Sequence, residues 1–220
     1  MVHCNNCSND ANAWISVLKE VAELFDASPK TDTLYERLFK KSLEGADDCG
    51  GVLVCNYMAG EELTKIHSGF PLVLRKIDRD FTLANFMKAT LYSTMATLKM
   101  GMDLLKKEEI KITSLIAHGG LFKTPNVCQQ YLAAACKVPV TCMETAGEGG
   151  AFGMALLAAF LLHPKDDLSA FLDQFIFKTA SQRTVEPNPE LVAGFNRYMK
   201  EYENLLRVEQ TANSVFNDEQ

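Results

Sequence analysis

Residues 112–162 constrain the fold more than any other stretch of the chain, because they read as two consecutive strand–loop–helix units. The apolar run 113–117 is the right length for a buried strand. It stops at His118-Gly119-Gly120, where paired glycines allow backbone conformations and close approaches that a Cβ would block. Thr124 then stands where an N-cap belongs, and Pro125 suits the first helical position of a helix running to about Lys137. A second buried strand is expected over 138–143. Glu144-Thr145-Ala146-Gly147 follows it, and then a glycine- and alanine-rich helix over about 148–162. Ligands of α/β sheets bind beyond the carboxyl ends of strands, so this is where a nucleotide pocket is expected.

The rest of the chain must supply the remaining layers. Trp14, Val17, Leu18, Val21, Leu24 and Phe25 form an apolar stripe at helical spacing, with Asn9 or Asp10 as its natural cap. A second helix is expected from Thr31 to about Leu43, ending before Gly45. Residues 51–58, with Val52, Leu53 and Val54, read as a buried strand, and residues 60–80, with Gly69, Pro71 and mixed charges, read as a loop. Thr82 should cap a long helix to about Lys107. Leu83, Phe86, Met87, Leu91, Met95, Leu98, Met102 and Leu105 mark its buried side, the methionines as core filler. Beyond Leu162 come a short segment 168–177, the run Thr184-Val185-Glu186-Pro187-Asn188-Pro189, and an amphipathic helix to about Glu209. Helices alternating with a mostly parallel sheet in the second half make this an α/β protein. With 47% apolar residues in 220, the chain can bury one substantial core.

Charge and cysteine usage narrow the function classes. A net charge of −6 with no basic patch argues against a nucleic-acid protein. Lys40-Lys41 and Lys106-Lys107 are pairs at helix ends that read as solvated. The residues after Met1 lack a signal peptide's basic region and apolar core. The longest apolar run, 151–162, is too short to span a bilayer. Seven cysteines, an odd count scattered among apolar runs, fit a reducing compartment, and a cytoplasmic location is expected. Cys4 and Cys7 have the Cys-x-x-Cys spacing but no second pair to complete a zinc site, so no metal-ligating residues are assigned. His118 reads as a strand-end packing residue and Trp14 as core. Lys123, at a helix start, is a phosphate candidate. On these patterns alone, a nucleotide-binding domain and a sugar- or peptide-binding module of similar architecture both remain open.

Four segments in register resemble the carboxyl lobe of the FGGY carbohydrate kinases. Ala117 through Pro125 is similar to that family's Gly-Gly-Gly-x-Lys-Ser-Pro loop, and Cys7 through Trp14 to its loop and Trp-helix start. Asn56-Tyr57-Met58-Ala59-Gly60-Glu61 resembles Pro-Tyr-Leu-Asn-Gly-Glu, and the stretch from Glu144-Thr145 to Ala155 resembles Glu-x-x-Ala-Leu-Gly-Ala-Ala. The likeness spans roughly residues 3–162, and the tail around Val185-Glu186-Pro187 looks closest to ribulokinase-like members. The resemblance implies a ribonuclease-H-like (actin-like ATPase) domain with a mixed sheet flanked by helices. It implies one lobe over residues 1–220, with appended helices from about 164, lacking the lobe's first strands.

By the same resemblance, ATP and Mg²⁺ are the cofactors, and the γ-phosphoryl group passes to a ketopentose of the ribulose or xylulose type. Gly119 and Gly120 would line the adenosine and α-phosphate, with Thr124 near the base or ribose. Asn9 and Ala13 would border the β- and γ-phosphates, and Gly149, Gly150 and Gly153 would let a helix back the adenosine pocket. Leu121 and Phe122 replace small residues of the loop, Asn56 a proline, Glu62 an arginine and Asn9 a glycine. In this family the catalytic Asp and most sugar contacts belong to the amino lobe, so no base is assigned here and the chain alone is expected to be inactive. A non-catalytic actin-like binding or regulatory domain, or a kinase remnant, is the second reading. A lobe of this kind is also expected to self-associate, as a homo-oligomer, or to carry an exposed apolar face.

Overall fold

The computed structural model describes residues 2–77, 80–143, 149–162, 167–177 and 181–217. Its centre is α3 (Leu83–Lys107), whose residues from Ala84 to Thr97 are all buried. Thr82 caps it as expected, its hydroxyl accepting from Asn85 N at 3.2 Å. A helix apolar on most of its surface must be covered all round. Here α2 (Thr31–Ser42), β1 (Val52–Cys55), α4 (Val127–Cys136) and α7 (Pro189–Asn217) do this. The polar residues on α3 survive burial by bonding back to its own carbonyls, Thr90 to Phe86 O at 2.9 Å and Ser93 to Thr90 O at 2.7 Å. Leu83, expected inside, is exposed.

Two small sheets flank this helix. The strand β1 pairs antiparallel with β2 (Leu72–Arg75), from Val52 opposite Arg75 to Cys55 opposite Leu72. The loop expected over 60–80 therefore contains a strand. Leu72 and Leu74 turn inward while Val73 and Arg75 face out, a period of two that only four residues carry between turn formers. In the second sheet the order is β3 (Leu115–Ile116), β4 (Val140–Met143), β5 (Gln182–Val185). The β3–β4 pair is parallel and β4–β5 antiparallel, so the sheet is mixed rather than mostly parallel. The polar strand β5 had no apolar run to announce it. It is held by a Thr141–Thr184 hydroxyl bond of 2.8 Å and by Gln129 on α4, whose amide donates to Val140 O and Arg183 O.

At the amino end, α1 (Asn9–Glu23) begins at Asn9, with Ser8 as an N-cap that makes no side-chain bond. Neither Asn9 nor Asp10 caps it, since Asp10 turns inward and is only 4% exposed. Ala11 and Ile15 are its buried apolar residues, and Trp14 is half-buried, edge-to-face with Phe86 at 4.8 Å. The expected stripe is wrong on one side, because Val17, Val21, Leu24 and Phe25 lie exposed, the last two at 80%. The helix α7 runs eight residues beyond the expected end at Glu209, to Asn217. Phe195, Tyr198, Tyr202 and Leu205 on it fill the core, and Tyr198 OH donates to Val54 O at 3.2 Å. The buried Glu209 carboxylate accepts Phe70 N at 2.7 Å, fastening the start of the β2 segment to this helix.

The helix α5 (Gly149–Phe160) carries exposed Met154 and Leu157, and Leu161 and Leu162 beyond its end are also exposed. Together with the outer side of α1, this is more apolar surface than scattered single residues would give. The isolated chain is accordingly expected to associate as its concentration rises. Sedimentation velocity over a wide concentration range checks this, and a constant monomer would refute it.

Candidate nucleotide site

The geometry of the site starts at the amino terminus. Residues 5–7 are pinned to the segment 56–61 by a dense set of hydrogen bonds. Buried Glu61 accepts Asn5 N at 2.9 Å and Asn6 N at 3.3 Å, while Asn6 Oδ1 accepts Met58 N and Ala59 N. Asn56 donates its amide to Cys7 O at 2.8 Å, a bond the proline of the family pattern could not make. This clamp sets Ser8 and the first turn of α1 at the rim of a cavity.

The opposite rim is the loop after β3. Ala117 N–H still reaches Thr141 O, so Gly119 and Gly120 lie just past the carboxyl end of β3, as expected. That strand is an edge of its sheet, however, and β4 is the central one. Gly119 has φ of 113°, a conformation L side chains rarely adopt. A Cβ built on Gly119 or Gly120 would meet nothing within 4 Å. Both backbones thus face open space rather than a packed neighbour.

Thr124 is buried but does not cap α4, which begins at Val127 behind Asn126 in the left-handed region. Gly120–Phe122 form a tight 3₁₀ turn, continued by Lys123 N bonding Gly120 O at 3.2 Å. Thr124 and Pro125, assigned by the sequence pattern to the helix start, lie between this turn and α4. Thr124 is thereby freed to line the cavity.

The cavity, about 470 Å³, is bounded by Ser8, Asn12, Gly120, Lys123 and Thr124 and by Tyr35, Phe39, Leu121 and Pro125, with Asp32 and Glu36 on its α2 side. Of the six residues the sequence nominated, Gly120, Lys123 and Thr124 line it directly. Gly119 adjoins it, while Asn9 and Ala13 are exposed beside the lining residues Ser8 and Asn12. The α2 contribution was missed altogether, because charged and aromatic residues on an amphipathic helix carry no signal of a ligand. Leu121 lines the cavity and Phe122 packs against the core, so the bulk in the loop serves as wall. His118 is exposed, not packed as expected.

Other candidate features point away from chemistry. A larger groove, about 790 Å³, is bordered by Lys99, Lys106, Lys111 and Lys137 with Asp103 and Glu109. It lies at the carboxyl ends of α3 and α4, where cations are expected to offset the helix dipole. All seven cysteines are free. Burial pushes the Cys7 thiol up and the Cys4 thiol to about 11, the opposite of a reactive thiolate. Gly150 and Gly153 on α5 also face open space, so close packing against the rest of the chain does not account for them. The segment 144–147, and residue 148 where the next helix was expected to start, lie outside the described residues.

Asp10 makes a prediction of its own. Its Oδ2 has no hydrogen-bond partner, and burial raises its carboxyl to about 6. The folded chain therefore holds this proton more tightly than the unfolded one. The group's contribution is most favourable below pH 4, and is withdrawn as pH rises through 6. Asp10→Asn should raise stability at pH 8 by about 2 kcal/mol, with the gain vanishing near pH 4. Urea unfolding at both pH values checks it.

The comparisons with known proteins fall in with this geometry. The fold matches solved sugar kinases. A gluconate kinase from Lactobacillus acidophilus superposes with a TM-score of 0.68 at 18% identity, covering 97% of this chain and 40% of that one. A xylulose kinase from Rhodospirillum rubrum gives 0.68 at 14%, covering 93% and 38%. The architecture is thus that of the actin-like ATPase fold. A ribulokinase from Mycolicibacterium smegmatis is 25% identical over 196 residues, 88% of this chain and 34% of the relative. The pattern of the FGGY family of carbohydrate kinases, C-terminal domain, matches residues 1–162, and the chain belongs to that family. It spans about a third of the length of the ribulokinase it matches. Among the described residues, no helix is long and apolar enough to cross a membrane.

Proposed function

We propose that residues 1–220 are the ATP-binding lobe of a carbohydrate kinase that moves the γ-phosphoryl group of ATP to a hydroxyl of a ketopentose of the ribulose or xylulose type. The observation that carries this reading is the open glycine loop, Gly119-Gly120, beside an aromatic-walled cavity in a chain of the FGGY family. A cavity of about 470 Å³ is within the range of small-molecule sites. Gly119 and Gly120 allow the nucleotide backbone-close approach, and Thr124 and Lys123 supply a hydroxyl and a cation at the wall. The first turn of α1, whose cap residue Ser8 makes no side-chain bond, would face the phosphates.

Bound Mg²⁺ would offset charge on the transferring phosphates. It travels with them, since phosphates, waters and one or two carboxylates usually hold this ion. Among the described residues, no three His, Cys, Asp or Glu side chains come together as a cage for it. The sugar and its proton acceptor belong, in this reading, to an amino lobe closing over the cavity. The ketopentose assignment leans on the ribulokinase and xylulose kinase likenesses, and the gluconate kinase likeness is its competitor. A kinase assay of the chain combined with an amino-lobe polypeptide, run on ribulose, xylulose and gluconate, tests it. Preferential turnover of a pentulose supports the reading, and transfer to gluconate alone would reject it.

A further inference from the structure

Building on the nucleotide reading of the cavity, we propose that α2 is its base-reading wall, with Asp32 and Asn12 selecting the amino-bearing edge of adenine. Part of the lining is flat and apolar: the Tyr35 ring and buried Phe39 from α2, and Leu121 and Pro125 from the loop before α4. Such surfaces suit a purine ring rather than a ribose or a phosphate. Two polar groups stand among them. Tyr35 OH donates to Asn12 Oδ1 at 2.9 Å, so the Asn12 oxygen is engaged and its amide nitrogen is the atom left to donate. Asp32, in the first turn of α2, contributes an acceptor. Glu36, the other carboxylate, is tied to Lys40 at 2.5 Å, and that partner holds it below the usual carboxylate range.

A donor and an acceptor lining one cavity complement adenine, whose exocyclic amino group donates and whose adjacent ring nitrogen accepts. The same carboxylates disfavour a polyphosphate on this side. The base therefore lies against α2, and the phosphates leave past Gly119-Gly120 toward the start of α1. Hypoxanthine presents an oxygen where adenine presents the amino group, and that oxygen would face the Asp32 carboxylate with no proton between them. Tyr35 acts here as a positioning residue through Asn12.

Calorimetric titration of the full chain with MgADP and MgIDP tests the assignment. The wild-type chain should bind ADP about tenfold more tightly than IDP, the scale of one charge-assisted hydrogen bond. Asp32→Asn should bring that ratio close to one, and Tyr35→Phe should narrow it severalfold without moving the melting midpoint. Asp32→Lys should weaken ADP. If Asp32→Lys instead tightens ADP binding, the carboxylate faces phosphates and the assignment is overturned. An ADP/IDP ratio that Asp32→Asn leaves unchanged overturns it too, while the nucleotide reading stands. A folded wild-type chain that binds neither nucleotide overturns both.

Discussion

The isolated chain should turn over ribulose and xylulose at least a thousandfold more slowly than the roughly 1–100 per second usual for kinases. Phosphoryl transfer depends on positioning and on electrostatic stabilisation of the phosphates, with a carboxylate to take the hydroxyl proton. A general base alone contributes about 10²–10⁴-fold, and holding the acceptor in line contributes further. The cavity offers Asp32 and Glu36 as carboxylates, but both sit on the aromatic side, and Glu36 is engaged by Lys40. The chain spans about a third of its ribulokinase relative, and the family resemblance puts the base and sugar contacts in the amino lobe. A coupled assay with saturating MgATP measures this directly. Turnover in the usual kinase range would mean that the chain carries its own acceptor site and base.

A large effect on stability is expected at Gly194, near the start of the buried face of α7. Helix propensity alone favours replacing it, since alanine gains about 1 kcal/mol over glycine in a helix interior. Packing opposes this, because a Cβ there would sit 2.3 Å from the backbone oxygen of Asp47 and 2.5 Å from its carbonyl carbon. Neither can swing aside as a flexible side chain would. The loop holding Asp47 also receives buried Lys88, whose ammonium donates to Gly45 O at 2.6 Å. Moving that loop disturbs a charge as well as a contact. Overpacking of this kind costs about 1–3 kcal/mol, and more where backbone must shift, so packing wins. Gly194→Ala should lose about 2 kcal/mol net, lowering the melting midpoint by roughly 4–8 °C for a chain of this size. Gly150→Ala, with open space around it, should gain up to about 1 kcal/mol. Thermal unfolding of the pair checks the sign of each.

What the sequence disclosed and what it withheld separate along physical lines. Elements with long periodic patterns were legible, so α2 and α3 fall where spacing put them, and the unbroken apolar run of β1 marked a strand within residues 51–58. Short strands without such a run were not. The strand β2 alternates over only four residues, and β5 is polar enough to pass for a loop. The spacing on α1 suggests one buried face, yet among the described residues the chain buries its Ala11–Ile15 side and leaves Val17, Val21, Leu24 and Phe25 exposed. Periodicity reports that a face is apolar, not what covers it. At the site, Gly119 and Gly120 were legible as the turn after β3 because turn chemistry is local, whereas Thr124 lacks the capping role that its pattern suggested. The shift of the α4 cap to Asn126 and the approach of α2 to the cavity were not, since both depend on how distant segments pack.

Gly120 offers the most direct test of the central claim, that the cavity beside the glycine loop binds the nucleotide. It lines the cavity, and a Cβ there meets no atom within 4 Å, so Gly120→Val should leave the fold intact while filling space a nucleotide would use. Calorimetric titration with MgADP should give saturable binding to the wild-type chain, weakened at least tenfold in Gly120→Val at an unchanged melting midpoint. Equal binding by the variant, or none by the folded wild-type chain, would contradict the assignment.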